Sequence, residues 1–210
     1  MGQIRKGTNH NRNLPSGLKH IYVRIGYDIG QKIYARINNG NIDAAYFHLA
    51  YKNHILEFTG GKVLMPYHHS FYAFVTAGNF NNIGYAYNFY ENWGKMRNEI
   101  TLGFRYGTAN FSYDIQQIYI PSSLPEMPDY HWVGHRYIHR LHANWVEVEA
   151  SIKAEIYRGL FLDLFIMGKR MIGSTKPENF DILYVPGFNR TNISKFGFGL
   201  GYGISYRFGL

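Results

Sequence analysis

Four histidines lie close together in the segment "HWVGHRYIHRLH": His131, His135, His139 and His142. On a short helix, spacings of three or four residues would bring their imidazole rings to one side, where neutral imidazole binds metals such as zinc. The alternative is a histidine-rich exposed loop, because no carboxylate or thiolate stands at a ligand spacing. We predict no metal and no other cofactor, and retain these four histidines as the candidates for a metal site.

A row of glutamates follows in "HANWVEVEASIKAEI", where Glu147, Glu149 and Glu155 alternate with apolar residues. Carboxylates beside a basic partner could act as a general acid and base. Alternate residues of a strand, however, point to one side whether or not chemistry occurs there, so the same row can fill the interior of a barrel. Since no segment marks a nucleophile, we predict no catalytic residue.

The composition predicts how these residues are positioned. The 210 residues include 19 Tyr, 15 Phe and 23 Gly, and the mean hydropathy is only -0.29, which is typical of alternating strands. No stretch approaches the ~20 apolar residues of a membrane-spanning helix, so the membrane route left is a closed barrel. Cysteine is absent, which excludes disulfides and thiolate chemistry.

The formal net charge of +8 comes from Lys and Arg residues that are scattered along the chain and form no run. This pattern argues against a nucleic-acid partner. It favours a basic surface near anionic lipid or the phosphates of lipopolysaccharide.

Alternation of apolar and polar residues predicts eight strands, from "IYVRIGYDIG" and "AAYFHLAY" to the last, "KFGFGLGYGISYRFGL". The expected connections at 52–54, 90–97 and 157–159 fall on one side of the barrel, and those at 38–42, 60–70, 116–142 and 173–193 fall on the other, where most are longer. Outer-membrane barrels have short periplasmic turns and longer outer loops. The sequence therefore predicts an all-β, eight-stranded antiparallel up-and-down transmembrane β-barrel over residues 20–210, preceded by a polar periplasmic tail over 1–19.

The last strand indicates which face is inside. Four glycines share one face with Lys195, Ser205 and Arg207, and a water-exposed face gains nothing from a row of glycines. The interior of a narrow eight-stranded barrel benefits from glycines, since side chains from opposite strands must fit there. We predict a filled polar lumen whose charges pair with one another: Arg24, Asp28, Glu99, Arg105, Glu147, Glu149, Lys153 and Glu155.

Aromatic residues near the strand ends fit interfacial belts: Tyr90, Trp93, Trp145, Tyr157, Tyr206 and Phe208. The loop over 173–193 carries further apolar residues that a flexible outer loop would expose: Phe180, Tyr184, Pro186 and Phe188. They would either cover the barrel mouth or dock on a partner.

The terminal "GISYRFGL" resembles the last-strand signal that the outer-membrane assembly machinery reads, with Gly203, Tyr206 and Phe208 at the signal positions, although it ends in Gly209 and Leu210 instead of Phe. Three stretches, "YNFYENWGKMRNEITLGFRYG", "HANWVEVEASIKAEI" and "KPENFDILYVPGFNRT", resemble an uncharacterised family of small outer-membrane barrels from Bacteroidota. The resemblance runs from about Gly26 to the end. It implies an exported eight-stranded barrel and supplies no catalytic residue.

The predicted location is the bacterial outer membrane, with a secretory signal removed, since the first residues lack an apolar core. The predicted role is a non-catalytic structural or accessory subunit of a larger cell-envelope assembly. The expected partners are outer-membrane lipid and lipopolysaccharide, the assembly machinery and other envelope proteins, with no nucleic acid. The alternative is a small outer-membrane enzyme or ligand-binding barrel that acts on lipid or metal.

Overall fold

The computed structural model describes residues 21–90, 96–122, 128–175, 177, 181–191 and 194–209. In chain order the elements are β1 (Ile21–Asp28), α1 (Ile29–Ile37), β2 (Asn41–Tyr51), β3 (His54–His69), β4 (Tyr72–Asn88), β5 (Glu99–Ile120), β6 (Tyr130–Tyr157), β7 (Leu160–Ser174), β8 (Tyr184–Val185), β9 (Asn189–Arg190) and β10 (Phe196–Gly209).

Eight of these strands form a closed antiparallel barrel in the order β1-β10-β7-β6-β5-β4-β3-β2. The first and last strands meet in register, with Val23 opposite Phe208 and Tyr27 opposite Ile204. Along each strand, buried and exposed residues alternate because successive side chains point to opposite faces. The predicted all-β, eight-stranded up-and-down barrel is confirmed.

The two ends of the barrel differ. The turn end carries the start of β1, the end of β10 and the tight turns at residues 52–53 and 158–159. At the opposite, loop end, the strands are longer than predicted. The expected loop at 60–70 is wrong, since β3 continues through "PYHH" to His69 and a turn at 70–71 leads into β4.

The predicted loop over 116–142 is also a pair of strands. β5 continues to Ile120 and β6 starts at Tyr130, and the two pair up to Ile120 opposite Tyr130. β7 joins β6 only from Ala143 onward, so β6 residues before 143 pair with β5 alone among the described elements. This projecting hairpin, whose described residues are 116–122 and 128–142, was hidden in the sequence by bulges, which shift the register between Phe111 and Tyr113 and between Ile115 and Gln117.

The helix α1 was not predicted, since the alternation of β1 was extended to Ile29 and Gly30. The Asp28 side chain caps the helix by accepting a hydrogen bond from the Gln31 backbone N–H at 3.0 Å. The spacing of Ile29, Ile33 and Ile37, four residues apart, is helical and not strand-like. Gly40 N–H donates to the Ala35 carbonyl at 2.7 Å and ends the helix.

Because β1 ends at Asp28, it closes only the turn half of the barrel wall. Beyond it, Phe196–Tyr202 of β10 pair with β7 alone, and Asn41–Ala44 of β2 pair with β3 alone, among the described strands. The helix α1 packs between these two strand segments. We call this part of the wall the seam.

Candidate functional site in the filled barrel interior

The inner face of β5 shows how the lumen is divided. From the turn end it presents Glu99, Thr101, Gly103 and Arg105, and further along Ala109, Phe111, Tyr113 and Ile115, all buried. Beyond "GTAN" the apolar residues of β5 therefore lie on its inner face. The strand keeps its inward parity while the interior changes from charged to apolar.

The charged half begins at the turn end with Arg24 and Glu99, both fully buried. The guanidinium donates two hydrogen bonds to the carboxylate, at 2.8 and 2.9 Å, in the bidentate geometry that arginine favours. Tyr22 donates to the same carboxylate at 2.8 Å, and Arg207 lies 3.4 Å away. Phe161 stacks on the Arg24 guanidinium at 4.3 Å.

A second cluster lies near the middle of the barrel around Arg105. Its Nε lies 2.5 Å from Glu147 Oε1, and its terminal nitrogen contacts Glu149. Glu147 also accepts hydrogen bonds from Asn82 at 3.1 Å and from the Trp145 indole at 3.2 Å. Lys169 lies 3.6 Å from Glu147. One arginine thus contacts two buried carboxylates that come from the neighbouring strand β6, and Lys169 lies beside one of them.

The remaining predicted lumen charges have other partners. Lys153 is fully buried and donates to Ser151 at 2.6 Å and Thr101 at 3.2 Å, without a carboxylate partner among the described residues. Asp28 is buried, and it caps α1 as described above. Glu155 is not part of the lumen network, because it accepts hydrogen bonds from the backbone of Arg97 and Gly159 at the turn end, at 2.8 and 2.7 Å.

Sequence reasoning missed several buried polar residues: Tyr46, His48, Glu57, Asp163 and Lys169. Tyr46 donates a 2.5 Å hydrogen bond to Asp163, and His48 lies 3.7 Å from Glu57. Their signal was present, since each occupies the inward parity of an apolar strand, as in "LFLDLF". If inward and outward positions had been assigned along all eight strands as they were along β6, these five residues would have been predicted to lie inside.

The apolar half is filled by residues 181–191, which lie between β7 and β10 and include the short β8–β9 hairpin. We call residues 181–191 the plug. Tyr184, Pro186 and Phe188 are buried, and Phe188 is 0% exposed and packs edge-on against Trp145 at 5.9 Å. These three residues cover the barrel mouth from inside, whereas Phe180 lies outside the described residues. Trp145 is itself buried, so its predicted place in an interfacial belt is wrong.

Two contacts fix the plug. The Tyr113 hydroxyl donates to the Tyr184 carbonyl and accepts from the Tyr184 N–H at 3.1 Å. Gly187 has φ +79° and lies so close to the Phe80 ring that an added Cβ would come within 2.6 Å of it. Lys169 donates to the Gly187 carbonyl at 2.5 Å and so joins the plug to the charged half.

The candidate metal ligands lie on strand β6, not on a helix. His135 lies 2.9 Å from Asp114, His142 contacts Asn110 at 3.1 Å, and Tyr137 stacks between His135 and His139. His131 lies against Tyr119. In the part of the chain that the structure describes, no three potential ligands converge on one point.

The three residues of the C-terminal signal lie on β10. Gly203 faces inward, where an added Cβ would lie 2.7 Å from the Tyr46 hydroxyl, so glycine is required by the Tyr46–Asp163 pair. Tyr206 and Phe208 face outward, 45% and 47% exposed, with ring centroids 4.7 Å apart.

At the end of the projecting hairpin, Asp129 accepts hydrogen bonds from the Tyr119 hydroxyl at 2.6 Å and from the Ser122 N–H at 2.8 Å. The Tyr119 hydrogen bond, followed by that of Ser122, lowers the pKa of Asp129. The same carboxylate raises the pKa of Tyr119. This exposed pair provides a reference for the buried charges of the barrel.

The described side chains fill the lumen from end to end, with ion pairs in one half and the plug in the other. This arrangement can hold a barrel closed and rigid. A cavity of about 30 Å³ lies between the two halves, bordered by His48, Arg105 and Lys169, and it has room for about one water molecule.

The chain belongs to the family described as Domain of unknown function (DUF6048), whose model matches residues 17–210. No curated protein matches it. Among solved structures, it is similar to the N-terminal β-barrel domain of OprF from Pseudomonas aeruginosa, at 11% identity and a TM-score of 0.43, covering 92% of this chain and 100% of that chain. None of the described helices is long and apolar enough to span a membrane.

Proposed function

We propose that this protein is an integral outer-membrane β-barrel of a Gram-negative bacterium. In this proposal it has a structural or accessory role in a larger envelope assembly and no catalytic activity. One observation carries the membrane location: the barrel has its charges inside and its large apolar side chains outside. These exposed side chains occur on every strand of the wall, including Ile25, Phe47, Leu56, Ile83, Leu102, Val148, Leu164 and Leu200.

A water-soluble barrel would carry the opposite distribution. Exposed apolar patches on soluble monomers rarely exceed a few hundred Å², whereas an apolar outer band is the lipid-contacting surface of an outer-membrane barrel. Exposed aromatic residues at the turn end, Tyr51, Phe89, Tyr157 and Tyr206, support an interfacial belt there.

The pairing and burial of the interior charges support a non-catalytic role. Arg24 and Arg105 are engaged with carboxylates, and the plug covers the loop end of the lumen. A general acid or base must reach a substrate proton within hydrogen-bond distance. No described carboxylate of the two ion-pair clusters has such access.

The projecting hairpin supports an accessory role. It extends beyond the β6–β7 pairing and exposes Tyr130, Val133 and Tyr137 together with His131 and His135. Exposed aromatic residues on a rigid element are typical of protein contact surfaces. The proposed partners are other envelope proteins at this hairpin, lipid and lipopolysaccharide around the wall, and the outer-membrane assembly machinery at Tyr206 and Phe208 of β10.

Membrane insertion is tested by expressing the chain with an export signal in a Gram-negative host and fractionating the envelope. We expect it in the outer-membrane fraction, and we expect boiled and unboiled samples to migrate differently on a gel. A soluble protein with the same migration in both samples would refute the membrane proposal. The accessory role is tested by affinity purification in mild detergent, where replacing the exposed Tyr130, Val133 and Tyr137 by Ser should release the co-purified envelope proteins while heat-modifiability remains.

A further inference from the structure

We propose that the seam binds one acyl chain of an anionic phospholipid of the surrounding membrane, with the lipid phosphate held by Arg190. This inference rests on the proposed membrane location. A cavity of about 650 Å³ lies at the seam, within the size range of ligand sites, roughly 300–1,000 Å³. It is bordered by α1, β10 and the plug.

The outer part of the cavity is apolar and opens on the outer surface. Ile33 and Ile37 of α1 face Phe198 and Leu200 of β10, and all four are exposed, Ile37 at 76% and Phe198 at 69%. Their side chains continue the apolar band of the wall. In a membrane, the hydrocarbon of lipid therefore lies directly at the cavity opening.

The seam also leaves one edge of β10 without a partner strand among the described residues. Successive residues of a strand direct their N–H and C=O groups to alternate neighbours, so half of those in Phe196–Tyr202 point toward α1 and away from β7. Sheet edges are not left open to hydrocarbon; they are covered by protein or line a polar cavity. A lipid with ester and phosphate oxygens can cover the apolar side chains and accept hydrogen bonds at the same place.

The inner part of the cavity is polar. The rings of the half-buried Tyr67 and the buried Tyr184 lie 4.8 Å apart at this end, and neither hydroxyl forms a well-aligned hydrogen bond with the described residues. Asn189 and Arg190 complete the lining, and the Arg190 guanidinium lies 5.9 Å from the centroid of the Tyr67 ring. Arginine binds phosphate in a bidentate manner, which favours an anionic headgroup.

One occupant fits both parts of the cavity. An acyl chain lies along Ile33, Ile37 and Leu200, and a phosphate lies between Arg190 and the phenol groups of Tyr67 and Tyr184. A peptide strand paired with β10 would satisfy the backbone edge. It would not use Arg190 or the two buried hydroxyls, which is why we favour lipid.

The experiment uses the full chain folded in a mild detergent, with dioleoylphosphatidylglycerol as the probe and dioleoylphosphatidylcholine as its neutral counterpart. Native mass spectrometry counts the lipids that each protein retains. We expect one phosphatidylglycerol to be retained, in preference to phosphatidylcholine. Arg190→Gln, which removes the charge, should weaken retention about tenfold, the loss expected for one charge-assisted contact. Ile33→Trp, which fills the cavity, should also weaken retention.

Matched controls separate this site from general lipid contact. Ile33 and Leu164 have the same exposure, 44%, but Leu164 lies on β7 outside the cavity, so Leu164→Trp should retain lipid like the original chain. Arg136→Gln, on the projecting hairpin, is the control for charge. Equal retention by all variants, or a second copy of the chain found at the seam in place of lipid, would overturn the inference.

The outcome is also distinguishable from failure of the proposed function. A protein that is heat-modifiable and inserts into membranes but retains no phosphatidylglycerol refutes only the lipid site. A protein that does not insert refutes the proposed membrane location on which the lipid site depends.

Discussion

The two halves of the lumen fill the same barrel in different ways. In the charged half, Arg24 and Arg105 pair with glutamates that lie on other strands of the wall. In the apolar half, the filling comes from a separate segment, the plug, which packs Phe188 and Tyr184 against Trp145 and Tyr113. The charged half is filled by side chains of the wall strands themselves, whereas the apolar half is filled by a separate segment that enters the lumen.

This difference determines what each half can tolerate. Buried ion pairs cost desolvation energy, so losing one partner leaves an uncompensated charge. An apolar contact that loses atoms costs packing, but it leaves no charge behind. We therefore expect the charged half to control whether the barrel folds, and the apolar half to control whether its mouth is covered.

The largest effect is expected at Arg105. Replacement by Met leaves the Glu147 and Glu149 carboxylates buried without their guanidinium, which should lower the free energy of unfolding by about 3–5 kcal/mol. Urea titration of the refolded barrel, followed by its gel shift, measures this loss.

A double variant sharpens the result. Among the described residues, Glu149 forms an ion pair with Arg105 alone, whereas Glu147 keeps Lys169, Asn82 and Trp145. Adding Glu149→Leu to Arg105→Met should recover part of the stability. If Arg105→Met alone matches the exposed control Arg136→Met, the pairing does not contribute as described.

The second effect is expected in the plug, with Phe188→Ala. Removing this fully buried ring from Trp145 should weaken the plug by about 3 kcal/mol, with little change in the wall. Hydrogen exchange should therefore rise in residues 181–191 while the urea midpoint of the barrel changes little. The control Phe188→Leu, which keeps a large apolar side chain, should cost less than Phe188→Ala. Equal loss of protection in the plug and the wall would show that the two halves unfold as one unit.

The residues of the charged half could be predicted from the sequence better than those of the apolar half. Parity along β6 was sufficient to predict Glu147, Glu149 and Lys153 as inward, because a regular strand alternates its side chains. The plug depends on contacts between distant segments, such as Phe188 with Trp145, and no local pattern records them. Similarly, bulges in β6, near Arg140 with φ +60°, concealed the projecting hairpin.

The helix α1 is a different case, because its signal was present but was overridden by the strand pattern before it. Asp28 at the cap, isoleucines spaced by four and Gly40 after the end together predict a helix. Reading β1 two residues too far hid all three. The seam could not be predicted for this reason, since it exists only where the helix replaces a strand.

A smaller effect is expected from Tyr113→Phe, which tests the attachment of the plug without changing its volume. The variant loses the hydroxyl that bonds both the carbonyl and the N–H of Tyr184, so protection of the plug should fall by about 2 kcal/mol. Hydrogen exchange of the Val185 amide and its neighbours measures it. Tyr106→Phe is the control, because its hydroxyl accepts from Asn144 at the exposed surface. Similar losses in the two variants would refute a special role for Tyr113.

The smallest effect is expected at the exposed pair Asp129 and Tyr119, whose charge is not buried. The lowered pKa of Asp129 means that its contribution is present above its unfolded pKa, about 3.9, and is lost as the pH falls through the lowered value. The raised pKa of Tyr119 means that the stabilising contribution of the phenol is present below about pH 10 and is lost as the pH rises through the raised value.

The amide chemical shift of Ser122 should therefore stay constant between about pH 5 and 9 and change outside this range. Asp129→Asn should abolish the acidic change, and the gel shift of the barrel should be the same for both proteins. If the acidic change were accompanied by unfolding of the wall, the hairpin and the buried ion pairs would not be independent.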